Sequence, residues 1–265
     1  GGAEAFSTVT GSGGTWTRGS HTFTTGAEVT SATLFAYAPS GSNVAAVDVD
    51  DFLIVEALPP AWTSTKIGSG YPGEAGISDG RIVVRGSGNN LGTATDGLQF
   101  VHQPMSGDGK ITAKLNSFES AHNRAKAGLM LRASDAPGAP FAMVHWLPDG
   151  QCEFIWRNTA GTAASYVWAS TTTAWPPQLR LIRTGQLVTA SFSTNGSTWT
   201  QVGATQAIDL PPDILAGLAV TSHETADSGE AVFTNFSFTG DRDGDGIPDD
   251  YETNTGVYVS ATNTG

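Results

Sequence analysis

Residues 241–252 read Asp-Arg-Asp-Gly-Asp-Gly-Ile-Pro-Asp-Asp-Tyr-Glu, a run that sets oxygen donors at alternate positions. A turning backbone points every second side chain inward, so such a run can wrap a hard cation. Asp241, Asp243 and Asp245 fall on the first, third and fifth positions of a calcium loop, and Gly246 takes the sharp turn at the sixth. The Ile247 carbonyl follows at the seventh, Asp249 serves directly or through a water at the ninth, and Glu252 closes the loop at the twelfth. Six carboxylates and one guanidinium, Arg242, leave a local charge of −5 that repels itself unless Ca2+ neutralises it.

A second chemistry is sugar recognition. Trp146, Trp156, Tyr166, Trp168 and Trp175 crowd one stretch of the chain. Flat rings cover the apolar C–H faces of sugars while polar neighbours bind the hydroxyls. Trp175 precedes Pro176-Pro177 in a loop, whereas Trp156 and Trp168 fit a core equally well. Lys126, Met130 and Arg132 share one face of a strand, and Ala127, Leu129 and Leu131 the other. If the second face packs inward, Lys126 and Arg132 stand on an open sheet surface, solvated or holding a sugar or carboxylate. His223 ends an apolar strand and reads as a hydrogen-bonded structural histidine.

Cleavage of glycans is not expected. Retaining hydrolysis needs two carboxyls about 5–5.5 Å apart, which alternate acidic residues on one strand would supply. No such run occurs, and Glu74, Glu119, Glu153, Glu224 and Glu230 are scattered. Glu224 and Glu230, across a turn, are the pair left for a hydrolase with atypical carboxylate placement. Gly68-Ser-Gly-Tyr-Pro-Gly73 matches a dinucleotide fingerprint in letters only, since Pro72 interrupts it and no helix follows.

The elements that must position these groups are strands. Strand patterns recur at 81–85, 98–103, 109–118, 125–132, 141–147, 152–157, 165–168, 178–184, 187–194, 198–202, 214–222 and 230–239, and no sustained helical period appears. Gly107-Asp-Gly109, Asp149-Gly150 and Asn195-Gly196 are hairpin-turn residues. The expectation is an all-β, antiparallel two-sheet sandwich over 61–240. A partial β-module precedes it at 1–57, Leu58-Pro59-Pro60 forms a linker, and the calcium-loop tail follows at 241–265.

Composition agrees. Only 14% of residues are charged and 33 are Gly, which suits a hairpin-rich sandwich, and seven Trp argue against disorder. The net charge is −12 and no Lys/Arg-rich run exists, so nucleic acid is not an expected partner. No apolar run approaches the roughly 20 residues of a membrane span. Gly1 stands in place of an initiator Met, which is compatible with an export signal removed or upstream. Cys152 is the single cysteine, so no internal disulfide can staple the chain, and its strand context reads as a buried, inert thiol.

Three resemblances follow from quoted motifs. Asp243-Gly-Asp-Gly-Ile-Pro-Asp249 resembles the bacterial thrombospondin type 3 repeat, which implies a calcium-bound extended stalk. Thr95-Asp-Gly-Leu-Gln-Phe-Val-His-Gln103, Gly107-Asp-Gly-Lys-Ile-Thr-Ala-Lys114, Ala125-Lys-Ala-Gly-Leu-Met-Leu-Arg132 and Gly217-Leu-Ala-Val-Thr-Ser-His223 resemble a bacterial concanavalin A-like lectin/glucanase family of the regulation-of-enolase type. Lys66-Ile67-Gly68 departs from that family's Asp-Ile-Gly. Val49-Asp50-Asp51-Phe52 is similar to the last strand of a galactose-binding-like jelly-roll carbohydrate-binding module, which implies a second calcium at Asp50 or Asp51. Together they imply a non-catalytic extracellular region of a larger bacterial protein, holding a polysaccharide or cell-surface glycan beside further domains. A purely structural calcium-dependent spacer is the alternative.

Overall fold

The computed structural model describes residues 21–24, 53–169 and 177–241. The chain divides into two units, Gly1–Leu53 and Ile54–Gly265. The second holds every strand among the described residues. These are β1 (Thr63–Ile67), β2 (Glu74–Ser78), β3 (Arg81–Gly86), β4 (Leu98–Glu119), β5 (Lys126–Arg132), β6 (Phe141–Trp146) and β7 (Cys152–Arg157). Then come β8 (Ser165–Trp168), β9 (Gln178–Thr184), β10 (Leu187–Ser193), β11 (Thr200–Gln201), β12 (Gln206–Ala207), β13 (Asp213–Thr221) and β14 (Gly229–Asp241). No helix occurs among the described residues.

All pairings are antiparallel and form two sheets. The first runs β1-β4-β13-β5-β6-β7-β8. The second runs β10-β9-β4-β14-β3-β2, with β11 and β12 on the far side of β10. Strand β4 belongs to both. Its first half pairs with β1 and β13, and its second half, from Gly109, pairs with β9 and β14. The expected hairpin at Gly107-Asp-Gly109 is therefore a corner inside one long strand. Gly107 takes a φ of 62° and lets the chain bend, while different partners on each side of the bend keep both halves extended.

Alternation decides what fills the space between the sheets. Val101, Leu129, Val144 and Phe154 from one sheet meet Ile111, Leu181, Phe192 and Phe233 from the other, all buried. Full burial of each such side chain stabilises by roughly 1.5–3 kcal/mol. The thiol of Cys152 lies here too, and burial pushes its pKa up, as an inert cysteine requires.

Strands β1, β2 and β12 escape the sequence reading. They are two to five residues long and each joins one named strand, β4, β3 and β10 respectively, so their apolar pattern is too short to mark them.

Candidate functional site

Trp146 points into the space between the sheets, 1% exposed, with its ring 6.2 Å from Phe192. It is core and cannot meet a sugar. Trp156 packs against the same core, 5.0 Å from Phe154. Both sit on strand positions whose parity faces inward, so the aromatic crowd is divided between two faces. Trp168 and Tyr166 fall on the outward parity of β8, opposite Glu153 and Ile155 of β7. Trp175, Asp50, Asp51 and the loop positions Asp243, Asp245, Ile247, Asp249 and Glu252 lie outside the described residues. The backbone of β14 runs to Asp241, the first position of that loop.

Lys126 and Arg132 do share a face with Met130, but it is not open. All seven residues of β5 are buried. The segment between β3 and β4 folds across this outer face and inserts Leu91 against Phe100, Met130, Phe141, Met143 and Ile155. Gly88 permits the fold, with a φ of 148° and a backbone approach so close that an added Cβ would lie 1.9 Å from the Gly97 oxygen. Asp96, at the far end of the segment, is fully buried and holds two guanidiniums. Arg132 Nη1 donates to its Oδ2 at 2.7 Å, and Arg157 donates to Oδ2 and Oδ1 at 2.6 Å each. Arg132 also donates to the Ser134 and Ala136 carbonyls, Arg157 to those of Thr162 and Thr93, and both cations lie over the Phe141 ring. Arg132 is thus a structural clamp, and solvation or sugar contact is ruled out for it by burial.

What the plug leaves accessible is the end of the outer face around Lys126. Hairpin register places His145 opposite both Gly128 and Glu153, and Glu153 opposite Trp168, giving one row across four strands. His145 is fully buried, with Nε2 2.8 Å from Glu153 Oε2, although off the line of a well-aligned hydrogen bond. Lys126 Nζ donates to the Arg124 carbonyl at 2.9 Å and to Asn90 Oδ1 at 3.2 Å. Above it, the imidazoles of His122 and His223 stack with centroids 4.3 Å apart. The Arg124 guanidinium lies 5.4 Å over the Trp168 ring, and Tyr166, 59% exposed, meets Trp168 edge-on at 6.0 Å.

Two local features hold this arrangement. The Arg124 amide donates to His122 Nδ1 at 2.9 Å, which leaves the proton of the neutral ring on Nε2, on the side of Glu224. His223 adopts φ 66°, a left-handed conformation that a bulky residue enters only when its surroundings impose it. The imposition comes from Thr221 Oγ1, which donates to the Gly88 carbonyl at 3.0 Å, and from the Gly88 amide, which donates to the Glu224 carbonyl at 2.8 Å. His223 Nδ1 is buried and finds no hydrogen-bond partner among the described residues, so the hydrogen-bonded structural role expected of it is not met there at that atom.

Electrostatics follow from burial. Desolvation lowers the Lys126 ammonium to about 8, against the pull of Glu153 and with the push of Arg124. Desolvation lowers His145 as well, opposed by Glu153. His223 is lowered to about 4, first by burial and then by the nearby Lys126, His122 and Arg124. Glu224 stands 3.9 Å from His122 Nε2, whereas Glu230 is tied to Arg85 at 2.7 Å. The two glutamates left for a hydrolase therefore have separate partners.

Of this constellation, Lys126 and Trp168 are read from sequence as sugar contacts. His145 opposite Glu153 was recoverable, because a turn at Asp149-Gly150 fixes that register. Asn90, His122, Arg124 and Asp96 carry no sequence signal, since the fold alone brings their loops to one end of the sheet.

No family model matches the chain, and no curated protein matches it either. The fold is similar to that of a functionally unknown protein from Saccharomyces cerevisiae, at 14% identity and a TM-score of 0.55, over 68% of this chain and 97% of that one. It is similar more loosely, with a TM-score of 0.46, to the carbohydrate-binding module CBM66 from Bacillus subtilis, at 15% identity over 70% of this chain and 99% of that one. A xylan β-1,4-xylosidase from Bacillus halodurans also gives 0.46, at 16% identity, over 61% of this chain and only 34% of that one. Such identities show a shared all-β sandwich fold and nothing of activity.

Proposed function

We propose that this chain is a non-catalytic carbohydrate-binding region of a larger extracellular bacterial protein. The observation that carries the reading is the aromatic shelf of Trp168 and Tyr166, bordered by Arg124 and Lys126, at the accessible end of the first sheet. A sugar ring lies on the indole while the cations and imidazoles bind its oxygens. The shelf stands on strands that the Asp96 clamp holds rigid, so little order is lost on binding. A binder is favoured over an enzyme because the buried carboxylate, Glu153, is committed to His145 and the exposed one, Glu224, stands beside His122.

Calcium belongs to the same proposal. The donor set of residues 241–252 suits a hard dication, and β14 leads directly into it. Bound Ca2+ would rigidify the connector to whatever domain follows. A broad glycan array, run beside a reducing-sugar assay, tests the reading. Hits without sugar release are expected. Sugar release lost in Glu224→Gln or Glu230→Gln protein would overturn it in favour of a hydrolase, and an empty array would leave only the spacer.

A further inference from the structure

Two cations, Lys126 and Arg124, and two imidazoles border the shelf in a strongly acidic chain. The whole sequence holds 13 Lys and Arg against 25 Asp and Glu. Yet Lys126, Arg124, His122 and His223 converge on one end of one sheet, from β5, from the loop before it and from the loop after β13. Among the described residues, Glu153 and Glu224 are the carboxylates that stand beside them. Glu153 is 4% exposed and turned to His145, so its charge is partly spent within the sheet.

The donors there are not all used. Lys126 has three N–H donors and gives two, to Asn90 and to the Arg124 carbonyl. The Arg124 guanidinium lies over Trp168, and its N–H groups donate to no acceptor among the described residues. His122 carries its neutral-ring proton on Nε2, since Nδ1 already accepts, and that nitrogen lies 3.9 Å from Glu224 Oε1. A buried ammonium with one donor unspent and a guanidinium lying over an indole share one chemistry: they receive an anion, and the indole beside them receives a ring. A neutral sugar would use the indole and leave the third Lys126 donor and the Arg124 guanidinium without an anionic acceptor of their own.

We propose that the shelf selects an acidic sugar, one whose ring carries a carboxylate or sulfate, with the anion seated between Lys126 and Arg124 and the ring on Trp168. This rests on the reading of the shelf as a glycan site. It also goes against the net charge of −12, which disfavours polyanions in general.

The test is affinity electrophoresis of the intact chain in gels holding polygalacturonate, its carboxyl-reduced twin, a sulfated galactan, or its desulfated twin. Retention by an acidic polymer at least tenfold stronger than by its neutral twin is expected, fading between 50 mM and 500 mM salt. The polymer of the two acidic arms that retains the protein identifies the anion. Arg124 is exposed, so Arg124→Gln folds and should lose most of that preference; Lys110→Gln, which removes the same charge from the other sheet, should not. Equal retention by acidic and neutral twins, lost in Trp168→Ala, would overturn the acid preference and leave the glycan site standing. No retention by any polymer would overturn both.

Discussion

The Asp96 clamp makes a quantitative prediction. Asp96→Asn keeps the shape of the side chain and removes its charge, while Arg132 and Arg157 remain buried at 0% exposure. Three charge-assisted hydrogen bonds at 2.6–2.7 Å converge on the carboxylate, each worth roughly 1.5–3 kcal/mol when a charged group takes part. They are not additive, and the backbone carbonyls of Ser134, Ala136 and Thr162 continue to accept from the same guanidiniums. Removing one partner from a buried ion cluster costs about 3–5 kcal/mol, because charge is left uncompensated. For a domain of this size that lowers Tm by roughly 6–20 °C. The assay is urea unfolding followed by Trp fluorescence, with calorimetry alongside. A loss under about 1 kcal/mol would refute the reasoning, since it would mean that water reaches the two guanidiniums. The consequence extends to the shelf: the clamped segment carries Asn90, an acceptor for Lys126 Nζ, so Asp96→Asn should also weaken glycan retention at temperatures where the variant is folded.

Further outcomes follow from the same structure. Lys126 faces Glu153, Arg124, Asn90, His122 and His223, with Glu224 beside His122, and is lowered to about 8. It is charged below that pH and neutral above it, so affinity for an acidic glycan should hold at low pH and fall as pH rises through and beyond 8, while Lys126→Met should flatten the profile. Cys152 is buried with its thiol pKa raised, so a thiol reagent at pH 8 should leave it untouched in the native protein and label it fully in denaturant; labelling of the native chain would contradict its place in the core. Calorimetric titration of Ca2+ into chelator-stripped protein should show saturable binding that Asp243→Ala/Asp245→Ala abolishes; no heat from the unaltered chain would remove calcium from the proposal.

The sandwich was legible because both halves of β4, all of β5 and β13 and most of β14 alternate or run apolar between turn residues. What sequence could not convey was the second face of the first sheet. Lys126-Ala-Gly-Leu-Met-Leu-Arg132 reads as one apolar and one polar face. The polar members become buried because Leu91 and Asp96, some forty residues earlier, fold over them. The Arg132 charge on this strand marks a buried ion cluster that pins a loop, not a solvent-facing surface. Trp146 and Trp168 look equivalent in composition, and only their parity, set by the register of β6, β7 and β8, sends one inward and one outward. The site is therefore a product of pairing across four strands, β5 to β8, and three loops, with little of it contiguous in the chain.

The most direct measurement is a titration of the strongest glycan hit into the intact chain, followed by intrinsic Trp fluorescence, in parallel with Trp168→Ala protein. The account predicts a saturable change in the unaltered chain. In the variant it predicts a loss of affinity of roughly five- to thirtyfold, equivalent to about 1–2 kcal/mol for a lost stacked aromatic, with unfolding by urea little changed. Equal affinity in the variant would contradict the account, because the sugar would then be held somewhere other than the Trp168 shelf.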